Sequence, residues 1–125
     1  FHLVDLPGYG YAEVPTTMKD SWRPLIETYL DKRATLAGVL LLIDIRRGVQ
    51  EEELDFVPWL AERERPMVVA LTKCDKLPKN KRTLAVMEAR KQMSLTRDPI
   101  AVSVQDGENV ELLWRKLIKL LEPKR

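Results

Sequence analysis

The stretch VLLLID, residues 39–44, decides the fold of this chain. Its first five residues are all apolar, which is typical of a strand buried on both faces of a parallel sheet. We therefore predict a strand over residues 36–45. Apolar runs at residues 1–6, 67–71 and 100–104 predict three more strands.

Segments in which apolar residues recur at helical spacing separate these strands. They predict helices over residues 18–30, 54–60, 84–93 and 110–121. Strand and helix therefore alternate four times along the chain. This order predicts an α/β fold, a three-layer sandwich around a mainly parallel sheet, with residues 1–125 forming one domain.

Length and composition are those of an ordinary globular domain. The chain has 125 residues, of which 45% are hydrophobic and 32% charged, and its net charge is only +2. No apolar run approaches the ~20 residues that a membrane span needs. With a single cysteine and no recognisable secretion signal, we expect a cytoplasmic protein without disulfides. Because the sequence opens inside a strand pattern, we interpret it as the C-terminal portion of a longer protein.

The first candidate binding motif is D-x-P-G, which follows the first predicted strand. Ligands of doubly wound sheets bind at the carboxyl ends of the strands, and Asp5, Leu6, Pro7 and Gly8 fall at such an end. The Asp5 carboxylate suits a magnesium ion held through water. Gly8 has no side chain, so its N–H can approach a phosphate oxygen closely. Taken alone, the motif is a weak signal, and a simple turn after a strand explains it better.

The second candidate motif is Thr72-Lys73-Cys74-Asp75, which follows the strand predicted at residues 67–71. A carboxylate at Asp75 can accept two hydrogen bonds from the N1–H and amino groups of guanine. Adenine has an acceptor in place of N1–H and would leave the carboxylate unpaired. The stem of Lys73 can lie over a base while its ammonium remains in water. The alternative is a polar surface turn.

Two further strand ends carry candidate residues. After the last predicted strand, a backbone N–H at Ser103 or Val104 could meet the O6 atom of guanine. Asp44 could support a magnesium site from a distance, or it could cap the turn that follows its strand. A cluster of cations forms either a solvated surface or a local patch that could contact the phosphates of a nucleic acid. Its members are Lys76, Lys79, Lys81, Arg82, Arg90 and Lys91.

These motifs together resemble the EngB-type GTPases. Residues 1–12, FHLVDLPGYGYA, are similar to the switch II region of that family, and residues 42–46 are similar to its L-x-D-x-R strand end. Thr72 stands where most GTPases have Asn, as it does in the family, and residues 111–114 are similar to the family's last helix.

The resemblance implies a P-loop NTPase-like fold whose N-terminal strands and phosphate loop are missing here. It implies a GTPase that binds GTP or GDP with Mg²⁺ and acts as a monomer in assembly of the bacterial large ribosomal subunit, with a link to cell division and septation. The partners would be ribosomal RNA and ribosomal proteins. The nucleotide-binding residues implied are Asp5, Leu6, Pro7, Gly8, Thr72, Lys73, Asp75, Ser103 and Val104, with Asp5 also serving the metal.

Two departures from GTPases in general bear on activity. Tyr9 occupies the place where Ras-like enzymes have the Gln that orients water, so we assign no catalytic residue and expect slow, partner-dependent hydrolysis. The 125 residues also contain no G-x-x-x-x-G-K-[ST] motif, so we expect this segment alone to bind GTP weakly or not at all. Alternatives are a related GTPase with another partner, and a non-catalytic scaffold of the same fold that binds RNA or protein.

Overall fold

The structure, a computed structural model, describes residues 1–5 and 16–122, with side chains described at residues 1–5 and 23–122. The chain divides into two units, Phe1–Leu36 and Ala37–Arg125. The first unit contains helix α1, and the second contains a sheet with its helices. In chain order the elements are α1 (Thr16–Lys32), β1 (Val39–Asp44), α2 (Glu51–Glu62), β2 (Met67–Thr72), a 3₁₀ turn (Cys74–Lys76), α3 (Lys79–Gln92), β3 (Ile100–Ala101) and α4 (Val110–Leu120).

The three strands of the second unit form one parallel sheet in the order β1-β2-β3. The pairing of β1 with β2 runs without a break from Val39 opposite Met67 to Asp44 opposite Thr72. Parallel strands end at the same edge of a sheet, so the polar residues that follow them share that edge. The predicted parallel α/β architecture is confirmed.

Both faces of the sheet are apolar, because successive side chains of a strand point to opposite faces. On one face Ala70, Ile100 and Val102 form a cluster, and Leu112 and Leu113 of α4 pack against it. The other face carries Leu41, Ile43, Val69 and Leu71, each at most 5% exposed. Together these two faces supply most of the sheet's buried core.

Local signals at the helix ends explain where two helices begin. The backbone N–H of Gln50 donates to Oε1 of Glu53 at 3.1 Å, which satisfies a donor at the start of α2. That helix begins at Glu51, seven residues before Pro58, and continues through the proline to Glu62. Before α4, Gly107 and Asn109 adopt left-handed backbone with φ of 74° and 60°. The turn they form lets the chain reverse from β3 into the helix.

The strand predicted at residues 1–6 is wrong for the five residues that the structure describes. Phe1–Asp5 has no regular secondary structure, and Phe1, Leu3 and Val4 are 77%, 69% and 47% exposed. An apolar run becomes a strand only when another strand pairs with it, and the described sheet contains β1, β2 and β3 alone. The strand predicted at residues 100–104 is present but shorter.

Candidate functional site

The loops that follow β2 and β3 border an open cavity of about 420 Å³ at the carboxyl edge of the sheet. Each loop follows a strand of the same parallel sheet, so the register of the sheet fixes their spacing. All of the lining residues belong to the second unit. They are Thr72, Lys73, Asp75, Lys76, Val102, Val104 and Gln105.

The loop after β2 turns sharply at Lys73, whose backbone is left-handed with φ of 59°. Its neighbour Cys74 starts a 3₁₀ turn and donates its backbone N–H to the carbonyl of Val102 at 3.0 Å. A left-handed conformation is unfavourable for a residue with a side chain, so the surrounding structure must hold it. The result is that Lys73 and Asp75 both line the cavity while Cys74 is fully buried.

The carboxylate of Asp75 has two partners. The hydroxyl of Ser103 donates to Oδ1 at 3.0 Å, and the ammonium of Lys76 lies 3.6 Å from Oδ2. Desolvation pushes the pKa of Asp75 upward, but the Ser103 hydroxyl, the residue's own amide and Lys76 outweigh it, so the pKa lies below its ordinary value. Asp75 is therefore an ionised acceptor on the cavity wall at neutral pH.

Ser103 is fully buried behind this carboxylate. Its hydroxyl oxygen accepts the backbone N–H of Asp106 at 3.1 Å, which leaves its proton for Asp75. Its own N–H donates to the carbonyl of Glu108 at 3.1 Å. Because that N–H is already used, the neighbouring Val104 is the better candidate for a main-chain donor toward a ligand in the cavity.

Asp44 ends β1 and forms ion pairs with two cations. Its carboxylate binds the guanidinium of Arg46, with Oδ2 at 3.0 Å from Nη2, and the ammonium of Lys73 lies 3.8 Å from the same oxygen. Oδ1 also accepts the backbone N–H of Arg46 at 2.9 Å, which closes the turn after the strand. The hydrogen bond from Arg46 is the main cause that lowers the pKa of Asp44. The capping role considered for Asp44 is therefore present.

A second set of contacts ties the two loops together beneath the cavity. The guanidinium of Arg82 in α3 lies 2.8 Å from Oε2 of Glu108, and the thiol of Cys74 lies 3.7 Å from the same oxygen. Burial is the main cause that raises the pKa of Cys74, so its sulfur stays protonated at neutral pH. Glu108 therefore joins the loop after β3 to the loop after β2.

The structure brings together most of the predicted binding residues that it describes. Thr72, Lys73, Asp75 and Val104 line the cavity, and Ser103 lies directly behind Asp75. Asp5 belongs to the first unit and is exposed. The remaining predicted binding residues, Leu6, Pro7 and Gly8, lie outside the described part of the chain, as does Tyr9, to which no role was assigned.

Sequence reasoning did not assign three of the lining residues, Lys76, Val102 and Gln105, to the site. Val102 follows β3 directly, and its place beside the loop after β2 depends on the pairing of two distant strands, so no local pattern marks it. Lys76 was interpreted only as part of a basic cluster. Three members of that cluster form ion pairs within the fold: Lys76 with Asp75, Arg82 with Glu108, and Arg90 with Asp98.

The described residues contain no group of three or more side chains placed to hold a metal ion together. Magnesium in nucleotide complexes is commonly held by one or two carboxylates, with phosphates and water completing its shell. A single exposed carboxylate such as Asp5 is compatible with that mode of binding. Nor do the described residues include a helix with the length and apolar character needed to cross a bilayer.

The arrangement suits a flat, polar heterocycle. Asp75 offers an ionised acceptor, and Val102 and Val104 offer apolar surface on the same cavity. The stem of Lys73 can cover one face of a ring while the ammonium remains hydrated. A ring with two adjacent N–H donors would match Asp75 best, because a carboxylate only accepts hydrogen bonds.

Solved structures place this fold in a known class. A crystal structure called "a probable GTP-binding protein engB" superposes with a TM-score of 0.79 at 19% identity, covering 93% of this chain and 74% of that one. A variant of Aquifex aeolicus Era bound to GDP·AlF₄⁻ superposes with a TM-score of 0.71 at 19% identity, covering 97% of this chain and 40% of that one. The chain thus has the α/β fold of the P-loop GTPases.

Sequence relatives narrow the class. The chain is 44% identical over 124 residues to proteins called "Probable GTP-binding protein EngB" from Geobacter sp. strain M21 and from Citrifermentans bemidjiense. Each alignment covers 98% of this chain and 58% of the relative, so the chain spans less than two thirds of their length. No protein-family model matches. The chain is a homologue of the EngB proteins, as its motifs indicated.

Proposed function

We propose that this chain forms the base-recognition part of a GTP-binding switch protein. The observation that carries the proposal is the ionised Asp75 carboxylate on the cavity wall, oriented by the buried Ser103 hydroxyl. Guanine offers N1–H and an amino group to that carboxylate, and Val104 would donate its N–H to O6 of the base. Thr72 and Lys73 form the adjoining wall.

Recognition by a charged acceptor gives strong discrimination between bases. Hydrogen bonds to a charged group contribute roughly 1.5–3 kcal/mol each, and adenine would leave the carboxylate facing another acceptor. A site built on such contacts can reject the wrong ligand by about 10⁴-fold or more. Guanine nucleotides, GTP and GDP, are therefore the proposed ligands.

The proposed activity of the whole protein is slow GTP hydrolysis that depends on a partner. Mg²⁺ would supply charge neutralisation at the phosphates, and Asp5 would hold it through a water molecule. Leu6, Pro7 and Gly8 would form the segment that senses the terminal phosphate. This part of the proposal depends on the motif pattern and on the kinship with EngB proteins.

We further propose a cytoplasmic role in assembly of the bacterial large ribosomal subunit, linked to cell division and septation, with ribosomal RNA and proteins as partners of a monomer. Support comes from the EngB resemblance together with the lysines of α3. Lys79 and Lys81 are exposed near the start of that helix and Lys91 near its end. RNA contact through them would weaken steeply with salt.

A titration with fluorescent guanine nucleotide tests the proposal. The 125-residue chain and a version extended at its N-terminus are compared, with the adenine nucleotide as a control. We expect weak binding by the 125-residue chain, stronger binding by the extended one, and preference for guanine in both. Failure of the extended chain to bind would favour the alternative of a scaffold that binds RNA or protein without nucleotide.

A further inference from the structure

We propose that Asp44, held by Arg46, is a positioning residue that fixes the ammonium of Lys73 beside the cavity before any base arrives. The three side chains form one line of alternating charge at the carboxyl edge of the sheet. The significance for base binding rests on the proposed function. The geometry itself does not require a ligand.

The Asp44 carboxylate is held from two directions. Oδ1 accepts the backbone N–H of Arg46 at 2.9 Å and lies 3.3 Å from its Nε, while Oδ2 lies 3.0 Å from Nη2. A carboxylate bound by a guanidinium fork has little freedom to rotate. Asp44 therefore presents Oδ2 to Lys73 in a defined place.

The sheet fixes how far Lys73 lies from this carboxylate. Asp44 pairs with Thr72 in the ladder, and the N–H of Ile45 donates to the Thr72 carbonyl at 3.0 Å. Lys73 comes next, in a left-handed conformation that sets the direction of its side chain. Its Nζ lies 3.8 Å from Asp44 Oδ2, although 60% of the side chain is exposed. Without a partner, such an exposed lysine would sample many rotamers.

The positions of the charges show what this contact prevents. Asp75 already has its own lysine, because Lys76 lies 3.6 Å from it. Since Lys73 is held by Asp44, it does not add a second cation to the carboxylate that is to read the base. Were Asp44 uncharged, Arg46 and Lys73 would both lose their anion, and Lys73 would be drawn toward Asp75. A lysine bound there would compete with a base for the same oxygens.

A purely structural role for Asp44 would act only through the turn it caps. The substitution Asp44→Asn separates the two roles, because the amide oxygen can still accept the Arg46 N–H while the negative charge is lost. Asp98→Asn is the matched control. Asp98 is also an exposed carboxylate bound to an arginine, Arg90 at 3.0 Å, but it lies before β3, at the opposite edge of the sheet from the cavity.

The first measurement needs no nucleotide. In the 125-residue chain labelled with ¹³C at lysine, we expect the two Hε protons of Lys73 to have distinct shifts. Asp44→Asn should merge them toward the values of a free lysine, and Asp98→Asn should leave them unchanged. If the Lys73 signals are the same in the wild-type and Asp44→Asn chains, the inference is overturned, whatever the chain binds.

The second measurement is a double-mutant cycle on the GDP affinity of the chain extended at its N-terminus, with Lys73→Met removing the ammonium but keeping the stem. We expect Asp44→Asn to weaken GDP binding about two- to five-fold, the range of an exposed ion pair, and to have no effect in the Lys73→Met background. An equal loss in both backgrounds would overturn positioning of Lys73 for the base. If the extended chain with the wild-type sequence binds no GDP while the Lys73 signals respond as expected, the proposed function fails and the positioning of the ammonium stands.

Discussion

The hydroxyl of Ser103 donates a 3.0 Å hydrogen bond to Oδ1 of Asp75 across 28 positions of sequence. Ser103 is fully buried, and its oxygen also accepts the N–H of Asp106, so the direction of the hydroxyl proton is settled. Ser103 thereby orients the carboxylate proposed to read a base, and together with the amide of Asp75 and with Lys76 it lowers the pKa of that carboxyl group against the effect of desolvation. The loops after two different strands act as one site.

Replacing Asp75 with Asn should change the preferred base. The amide would present a donor where the carboxylate presents an acceptor, which suits the C2 carbonyl of xanthine instead of the amino group of guanine. We expect Asp75→Asn to lose at least ten-fold in affinity for GDP and to prefer xanthosine diphosphate. Competition against a fluorescent nucleotide measures both; unchanged preference for guanine would show that Asp75 does not contact the base.

Acid should destabilise the second unit, because the carboxyl groups of Asp44 and Asp75 in that unit have lowered pKa values. Asp44 and Asp75 titrate below their ordinary value of 3.8 in the folded chain, so they favour folding above that pH and the contribution disappears as pH falls through the lowered values. Urea midpoints measured from about pH 5 to pH 2 should fall steeply. The fall should be shallower in the Asp44→Asn chain. A profile identical to that of the wild-type chain would contradict the lowered pKa of Asp44.

Glu53 should matter far more than the neighbouring Glu52. Glu53 is fully buried, accepts the Gln50 N–H at the start of α2 and lies 3.6 Å from Arg47. Truncation to Ala would remove the cap and leave a cavity, so we expect a loss of about 1–3 kcal/mol in the free energy of unfolding. Glu52→Ala, which removes an exposed contact to Arg47, should cost less than about 0.5 kcal/mol. Urea denaturation distinguishes them, and equal costs would contradict the prediction.

Gly38 should tolerate no larger residue without repacking. A Cβ built there would lie 2.6 Å from Cδ1 of Leu120 and 3.1 Å from the carbonyl oxygen of Pro66. We expect Gly38→Ala to destabilise the chain by about 1–3 kcal/mol, the usual cost of overpacking. In a Leu120→Ala background the added cost should shrink, because the methyl group then has room. If the two substitutions had additive costs in a double-mutant cycle, the strain caused by Gly38→Ala would not come from contact with Leu120.

Amide hydrogen exchange should be slow in β1 and fast in residues 1–5, although both segments are apolar runs in the sequence. Leu41 lies in the middle of β1, paired with β2, whereas Val4 is exposed and in no described strand. We expect the amides of β2 and of the central part of β1 to be protected and those of residues 1–5 to exchange at nearly free rates. Strong protection at Val4 would restore the strand predicted from its apolar run.

The parallel sheet and the loop after β2 could be predicted because their signals are local. Continuous apolar runs marked β1 and β2, and the residues after β2 carry the chemistry expected of a base-reading loop. The run at residues 1–6 has the same local character, but a pattern cannot tell whether a pairing strand is present. The contacts of Asp44 with Lys73 and of Ser103 with Asp75 depend on strand register, which is not local. Val102 escaped prediction for that reason, whereas the sequence placed Lys76 only in the basic cluster.

The burial of Cys74 has a practical consequence. Its thiol is the only one in the 125 residues. In sequence, Cys74 lies between Lys73 and Asp75, which both line the cavity. A thiol reagent can reach it only when the segment after β2 swings open. The rate of alkylation therefore reports how often that segment opens. A ligand that holds the segment closed should slow the reaction, and no engineered label is needed to detect this.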